Sequence, residues 1–483
     1  AYDQELGIHS VKDIPKSSGE AIQQVLKGQR EADYVDIFTY HLASLPGWTG
    51  YINYRSESNS LWQQAYPITM EDYLAVRLWI ANQLNLKIIP ETNTDDSSSE
   101  LLTIQYIWLK AWESTWQQQL VRSFAQQKAT RTNNKSGNKA PDAQMVFCID
   151  TRSELIRRHV ETKGNYETFG YAGFFGIAMD YSNLDDGINR KSCPPIVPSA
   201  YRVYELPQSR KKEKVLTYKR KVETAQFGAY FLKRMKNMLP SAFGFVEGSG
   251  FFYGCYLLIR TFAPGTYYRF KKKNTSSYED ICTPELLSNQ KVENIPLHIP
   301  LEEKAGIVKS AFDLTGWQEF APLILFVGHG SHSANNAFAS SLDCGACAAS
   351  PGRHNARMLA SLANETEVRS VLAEKHKVHI PDSTVFIGAE HNTTTDEIVL
   401  FDVHVPSSHQ KQLSVVKSNL VLAQQTATQD RLGVEQNSVR MAERKANQWS
   451  ETRPEWGLAK NAGFIVGPRW LTKNDNLDGR CFL

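Results

Sequence analysis

Charge of one sign is scarce in this 483-residue chain: 54 Lys and Arg face 51 Asp and Glu, a formal excess of +3. A dedicated nucleic-acid binder carries a strongly basic surface, so no nucleic-acid partner is expected. Long apolar runs are missing as well. The longest, residues 321–327 and 251–259 with Gly254 inside the second, fall well short of the roughly 18 residues a membrane-spanning helix needs, and no spanning segment is expected. The opening AYDQELGIHSVKDIPKSS has an early Asp and Glu and no apolar core, so no secretory leader is read there. Cysteine is sparse too. Seven cysteines, scattered and odd in number, do not make a disulfide scaffold and suit a reducing compartment where thiols are free or bind metal. From these absences a soluble, cytoplasmic protein is expected. What is present excludes disorder: 41% of residues are apolar and 11% aromatic, enough to fill a core. At roughly 150 residues per domain the length suggests about three domains, or one large α/β unit with insertions.

Residues 1–140 have a mainly helical pattern. Residues 60–93 and 100–127 space their apolar positions by three and four, with Leu101, Leu102, Ile104, Ile107, Trp108 and Trp112 in the second stretch. Residues 95–99 between them are expected to be a loop ending in an N-cap, and the polar 131–139 a surface linker. The character then changes. Residues 143–149 (AQMVFCI) are a short β-rich run, followed by a helical pattern over 151–161. Further β-rich runs cover 320–327, 383–389 and 397–405, with a helix expected over 355–375. This alternation predicts an α/β fold with a mostly parallel sheet, its core built from 141–180 and 311–483. Sites in such sheets lie at the carboxyl ends of the strands. Residues 181–310 form a long insertion with two basic runs, 210–221 and 269–273, and a helical stretch over 215–238. The basic runs are expected to be solvated faces that favour anionic headgroups or a membrane partner locally.

The first β-rich run ends in Cys148-Ile149-Asp150-Thr151-Arg152. Alternate side chains of extended backbone share a face, so Cys148, Asp150 and Arg152 are expected to point the same way. The second run ends in Gly328-His329-Gly330, and Cys344 follows fifteen residues after the histidine. Cys, His and Cys with a carboxylate in reach make a tetrahedral zinc set. Each residue alone has a plainer reading: Cys148 as a small core residue, His329 as a hydrogen-bonded structural group, Arg152 as the first turn of a surface helix. Two neighbouring strands that both end in metal-type ligands bring the metal reading level with the plain one. Cys344-Gly345-Ala346-Cys347 adds a CxxC, which is half a zinc site or a redox pair. The chain has no second close cysteine pair, so the redox pair stays as an alternative.

Cys-x-Asp-x-Arg on a first strand, with a later His and Cys, resembles the β-carbonic anhydrases. Longer stretches are more specific. VFCIDTRSE (146–154), GHGSHSANNAFASSLDCGAC (328–347), FIGAEHNTTTDE (386–397) and WSETRPEWGLAKNAGFIVGPR (449–469) resemble the DabA family, the soluble subunits of a bacterial inorganic-carbon transporter, over nearly the whole chain. Two departures are visible. Fourteen residues separate His329 from Cys344 where the β-carbonic anhydrases have two, and the chain looks shorter than the DabA family at both ends.

The resemblance implies a core like that of β-carbonic anhydrase, with Zn2+ held by Cys148, His329 and Cys344. Asp150 would be the fourth ligand or the partner of Arg152, those two being the catalytic dyad, and Cys347 would lie outside the ligand set. It further implies energy-coupled hydration of CO2 to bicarbonate in complex with DabB, an integral proton-conducting subunit. The chain would then be peripheral on the cytoplasmic face of the bacterial inner membrane. A non-catalytic, zinc-stabilised scaffold docked on a membrane complex is the competing expectation. Two residues outside the ligand set are also singled out. His391, in HNTTT after the third β-rich run, is expected to orient a ligand or water, or to belong to a loop satisfying its own backbone. Glu247, among the glycines of FGFVEGSG, is expected in a tight turn or as a buried acid near the site.

Overall fold

The computed structural model describes residues 14–58, 60–89, 96–133, 140–183, 188–207, 212–275, 282–285, 291–292, 295–296, 299–317, 319–334, 342–402, 404–450 and 461–483. The chain divides into two compact units, Ala1–Trp116 and Gln117–Leu483.

In the first unit, helices α1 (Ser18–Leu26), α2 (Tyr34–Ala43), α3 (Pro46–Glu57), α4 (Leu61–Ala65) and α5 (Met70–Gln83) surround a small core of Val25, Leu26, Ile37, Leu74 and Leu78. Their starts follow local chemistry. The Ser17 and Ser60 side chains accept from backbone N–H groups of the first turn, and Thr69 and Asp72 form a reciprocal capping box. The single stretch expected over 60–93 is therefore two helices. Pro67 disfavours helical geometry at Tyr66, which ends α4 at φ −137°. Asp96 to Ser99, expected in a loop, instead open the long helix α6 (Asp96–Asn133). Asp95, and residues 134–139 of the expected linker, lie outside the described residues. The boundary between the two compact units falls inside α6.

The second unit is built on a five-stranded sheet. Its strands β1 (Ala143–Cys148) and β2 (Tyr166–Tyr171) are separated by α7 (Thr151–Glu161). Residues expected as an insertion supply a second, four-stranded sheet in the order β4-β3-β5-β6, from β3 (Met179–Ser182), β4 (Asn189–Ser192), β5 (Tyr201–Pro207) and β6 (Cys282–Glu285). Between β5 and β6 come three helices, α8 (Lys212–Asn237), α9 (Leu239–Phe262) and α10 (Pro264–Thr275). A two-residue pair, β7 (Lys291–Val292) and β8 (Ile295–Pro296), precedes α11 (Leu301–Thr315). Then follow β9 (Leu323–Gly330), α12 (Arg353–Asn364), α13 (Thr366–His376), β10 (Val385–Asn392), β11 (Glu397–Phe401), α14 (Gln410–Leu432) and α15 (Ser438–Asn447).

The main sheet runs β11-β10-β9-β1-β2, with β10, β9, β1 and β2 parallel and β11 antiparallel at the edge. Every residue of β1 and β9 is buried, as expected of parallel strands covered on both faces. On one face Val146, Ile324, Phe326 and Phe386 pack with residues of α11, α12 and α13. On the other, Phe147, Leu325, Val327 and Ile387 pack with Ile156 and Val160 of α7 and Leu413, Val416 and Leu420 of α14. The helix expected over 355–375 is two, because Glu365 adopts extended backbone between α12 and α13. The backbone at the start of α12 lies hard against the sheet. A Cβ added to Gly328 would fall 2.3 Å from the Gly352 carbonyl carbon, and one added to Gly388 2.7 Å from Arg357 Cα.

Helix α9 corrects two expectations. Pro240–Phe262, 23 residues, is long and apolar enough to cross a membrane by length and composition. Ser241, Gly244, Glu247 and Ser249 interrupt every long apolar run in it without lowering its average far, which is why run length misses it. Glu247 sits exposed in the middle of this helix, neither buried nor in a turn: glycine permits a turn without imposing one. Of the basic run 210–221, Arg210 and Lys211 lie outside the described residues, and the remainder is the start of α8.

Candidate metal centre

Cys148 is the last residue of β1, and His329 the last but one of the neighbouring strand β9. Cys344 enters from a turn closed by a bridge to Ser350 and by the bond of its N–H to the Ser350 carbonyl at 3.2 Å. One ligand atom from each of these three residues lies within 4.8 Å of the other two, and the two sulfurs are 4.0 Å apart. All three are buried, at 3%, 1% and 1% exposure. The turn 172–177 presses on them from one side: a Cβ added to Gly173 would be 2.4 Å from the Cys344 sulfur and 2.8 Å from that of Cys148.

Asp150 and Arg152 do not continue the strand. Asp150 is the N-cap of α7, its Oδ1 accepting from the Arg152 N–H at 3.0 Å. Strand alternation therefore does not align them; the helix cap does. The Arg152 guanidinium forks onto the carboxylate, Nε to Oδ1 at 2.8 Å and Nη2 to Oδ2 at 3.1 Å. Its Nη1 donates to the Leu342 carbonyl at 2.6 Å, and Nη2 lies 3.0 Å from His329 Nε2. Asp150 Oδ2 is 3.6 Å from the same nitrogen. Of the four expected ligands, three thus converge, while the carboxylate of the fourth is engaged by arginine.

The donor chemistry suits a soft divalent cation. Contact with the Cys344 sulfur, with burial, pushes the Cys148 thiol well up. For Cys344 the bond to Cys148 acts downward, but the neighbouring Cys347 and burial prevail and its thiol also rises. Without a cation both would stay protonated at neutral pH, and thiolates are what zinc binds. Guanidinium only donates, so His329 Nε2 is the acceptor towards Arg152, and Nδ1 is buried with no hydrogen-bond partner among the described residues. Burial alone would raise the Asp150 carboxyl, yet His329 and the Arg152 fork hold it far below the usual carboxylate range. The group fits a cysteine–histidine zinc site, with a permanently ionised carboxylate beside it.

Around this lie two residues that sequence reasoning did not find, Asn355 and Glu390, and two that it did, Cys347 and His391. Asn355, fully buried on α12, donates from Nδ2 to the carbonyls of Phe174, Ile177 and Ser192 at 2.9, 3.0 and 2.9 Å. It thereby fixes the turn carrying Gly173. Cys347, outside the three-residue group, points its sulfur at Asn355 Oδ1, 3.8 Å away. Glu390 on β10 is buried against Arg353 Nη1 at 3.2 Å and His332 Nε2 at 3.4 Å, and its other oxygen lies where a side chain on Gly330 would fall. His391 belongs to the strand and not to a loop after it. It is paired in register with His329, is buried, and sits 3.8 Å from Asp396, which Arg431 binds at 2.9 Å. Residues 335–341 of the GHGSHSANNAFASSLDCGAC stretch and 451–460 of the last motif lie outside the described residues.

A family model described as "Probable inorganic carbon transporter subunit DabA" matches residues 3–483. Curated proteins of the same description from Natronomonas pharaonis and Salinibacter ruber are 40% and 41% identical, across 100% of this chain and 60% and 62% of theirs. One from Legionella pneumophila is 34% identical across 98% of this chain and 63% of its own length. The chain thus spans about three-fifths of the curated relatives it matches. No solved structure matches it.

Proposed function

The chain belongs to the DabA family, and on that premise we propose that it hydrates CO2 to bicarbonate at a zinc held by Cys148, His329 and Cys344. It would do so within an energy-coupled inorganic carbon transporter, on the cytoplasmic face of the membrane, assembled with an integral proton-conducting subunit of the DabB kind. The observation that carries this reading is the three-ligand group beside an Asp–Arg fork, at the carboxyl ends of parallel strands. A purely structural zinc site closes its shell with four protein ligands, whereas three leave one position for exchange. Zinc held there supplies Lewis acidity, bringing the pKa of water down to roughly 7.

This chain's own residues set the conditions. Arg152 keeps Asp150 ionised and engages both of its carboxylate oxygens, so Asp150 would not be needed as a ligand to a metal held by the other three. A carboxylate held so far below its usual range is a poor proton store and a good fixed acceptor, so Asp150 Oδ2 orients an entering water without taking its proton. Asp150 would have a second option, to leave Arg152 and serve as a further ligand to the metal. A membrane partner that interacts differently with these two states would couple hydration to its own energy source.

Oxygen-18 exchange between labelled CO2 and water, catalysed by membranes holding the assembled complex, tests this reading. Cys148→Ala is expected to lose both zinc and exchange. Arg152→Ala is expected to keep zinc and lose roughly 100-fold or more in exchange rate. An assembled wild-type complex without exchange overturns the hydration, and a fully active Arg152→Ala complex overturns the role of the fork.

A further inference from the structure

Helices α8 and α9 pack against each other through a single-residue joint at Met238, and both outer ends of the pair are fastened to the second unit. Val215 and Tyr218 of α8 pack with buried Cys282 of β6. Thr261 of α9 accepts from Trp449 Nε1 at 2.9 Å, and Arg269 of α10 meets Glu443 of α15 at 3.5 Å. Between these anchors the apolar side chains face outward. Phe243 is 81% exposed, Phe251 75% and Phe252 71%, with Val246, Leu257, Leu258 and Ile259 also exposed. The glycine side of α9 is equally bare: a Cβ added to Gly244, Gly248, Gly250 or Gly254 would meet nothing within 4 Å among the described residues. Together this is on the order of 1,000 Å² of exposed apolar surface, above the roughly 300–600 Å² of the largest patch on a typical soluble monomer.

We infer that the α8–α9 pair inserts into a phospholipid bilayer carrying anionic headgroups. Three features favour lipid over a groove on another protein. The exposed apolar surface runs all round α9, whereas groove binding needs one stripe. The 23-residue stretch Pro240–Phe262 measures roughly 35 Å, against about 30 Å of hydrocarbon in a bilayer. Charges are also sorted along the pair. Lys219, Arg220 and Lys221 lie towards one end of α8 and Lys233, Arg234 and Lys236 at the other, with Glu223 the one charge between them, and between Met238 and Ile259 the single charge is Glu247. Long cationic side chains at the ends of an apolar element reach headgroup phosphates while their stems stay in hydrocarbon. The inference does not depend on the zinc reading.

Cys255, exposed on α9 while the other six cysteines are buried, provides the reporter. The full chain, labelled there with an environment-sensitive fluorophore, is mixed with vesicles of phosphatidylcholine and phosphatidylglycerol. The expected result is flotation with the vesicles, a blue shift, and quenching by brominated acyl chains. Partitioning is expected to fall at least tenfold when Phe251, Phe252, Leu257 and Leu258 are all changed to Ser. These side chains are exposed, so circular dichroism and zinc content should be unchanged, which keeps a failure here separate from failure at the metal centre. Wild-type chain that neither floats nor shifts overturns the inference. So does undiminished binding by the fourfold variant, and so does binding only to vesicles that already contain an integral partner.

Discussion

Gly173 closes the metal group by having no side chain: any Cβ there would stand inside the contact distance of both sulfurs. Gly173→Ala should therefore push the ligands apart and weaken zinc roughly 10- to 100-fold in chelator competition, with a stability loss of about 1–3 kcal/mol. An unchanged zinc affinity would show that the turn yields freely. Glu390 supports a pH prediction. Burial alone would raise its carboxyl, but Arg353 and His332 hold it well below the usual range. The unfolded chain, at about 4.3, takes up that proton first, so this carboxylate's stabilisation is complete above roughly pH 4.3 and is lost as pH falls below it. Glu390→Gln should flatten the acid limb of stability, read as urea midpoints between about pH 3 and 6; an unchanged slope would contradict the pairing. Cys148 and His329 were legible because strand ends and ligand types coincide in the sequence. Gly173 and Glu390 were not, since nothing local marks a glycine under a sulfur or an acid facing an arginine from another element.

The helix α12 carries the clearest test among the secondary-structure elements. Asn355→Ala would leave the Phe174, Ile177 and Ser192 carbonyls and the Ser192 hydroxyl without their partner in a fully buried place. Unpaired buried groups of this kind cost about 1–3 kcal/mol each, so a loss of about 3–5 kcal/mol in urea unfolding is expected. A loss below about 1 kcal/mol would mean that water replaces the amide. The expected β1 and α7 match Ala143–Cys148 and Thr151–Glu161 because an unbroken apolar run and a helix cap are both local signals. Strand β9 runs three residues beyond the expected 327, since its pairing with β10 carries it through His329, and pairing is not written locally. The second sheet was missed for the same reason: MDYS and NRKS are short and polar, and become strands only where MDYS pairs with β5 and NRKS with MDYS.

For the whole molecule, zinc would tie together β1, β9 and the turn at Cys344, segments remote in sequence. Removing it with a chelator should lower the melting temperature by several degrees, since a ligand at a thousand times its Kd contributes about 4 kcal/mol. An unmoved melting temperature would place the metal outside the fold's stability. The family was legible from contiguous motifs, while the division at Trp116 was hidden inside one long helix. The central claim is the composition of the metal group, and X-ray absorption at the zinc edge of the purified chain tests it most directly. The expected result is one zinc per chain with two sulfurs near 2.3 Å and the remaining ligands, nitrogen or oxygen, near 2.0–2.1 Å. A shell with three or more sulfurs would bring in Cys347, and a shell without sulfur, or a folded chain that takes up no zinc, would contradict the account.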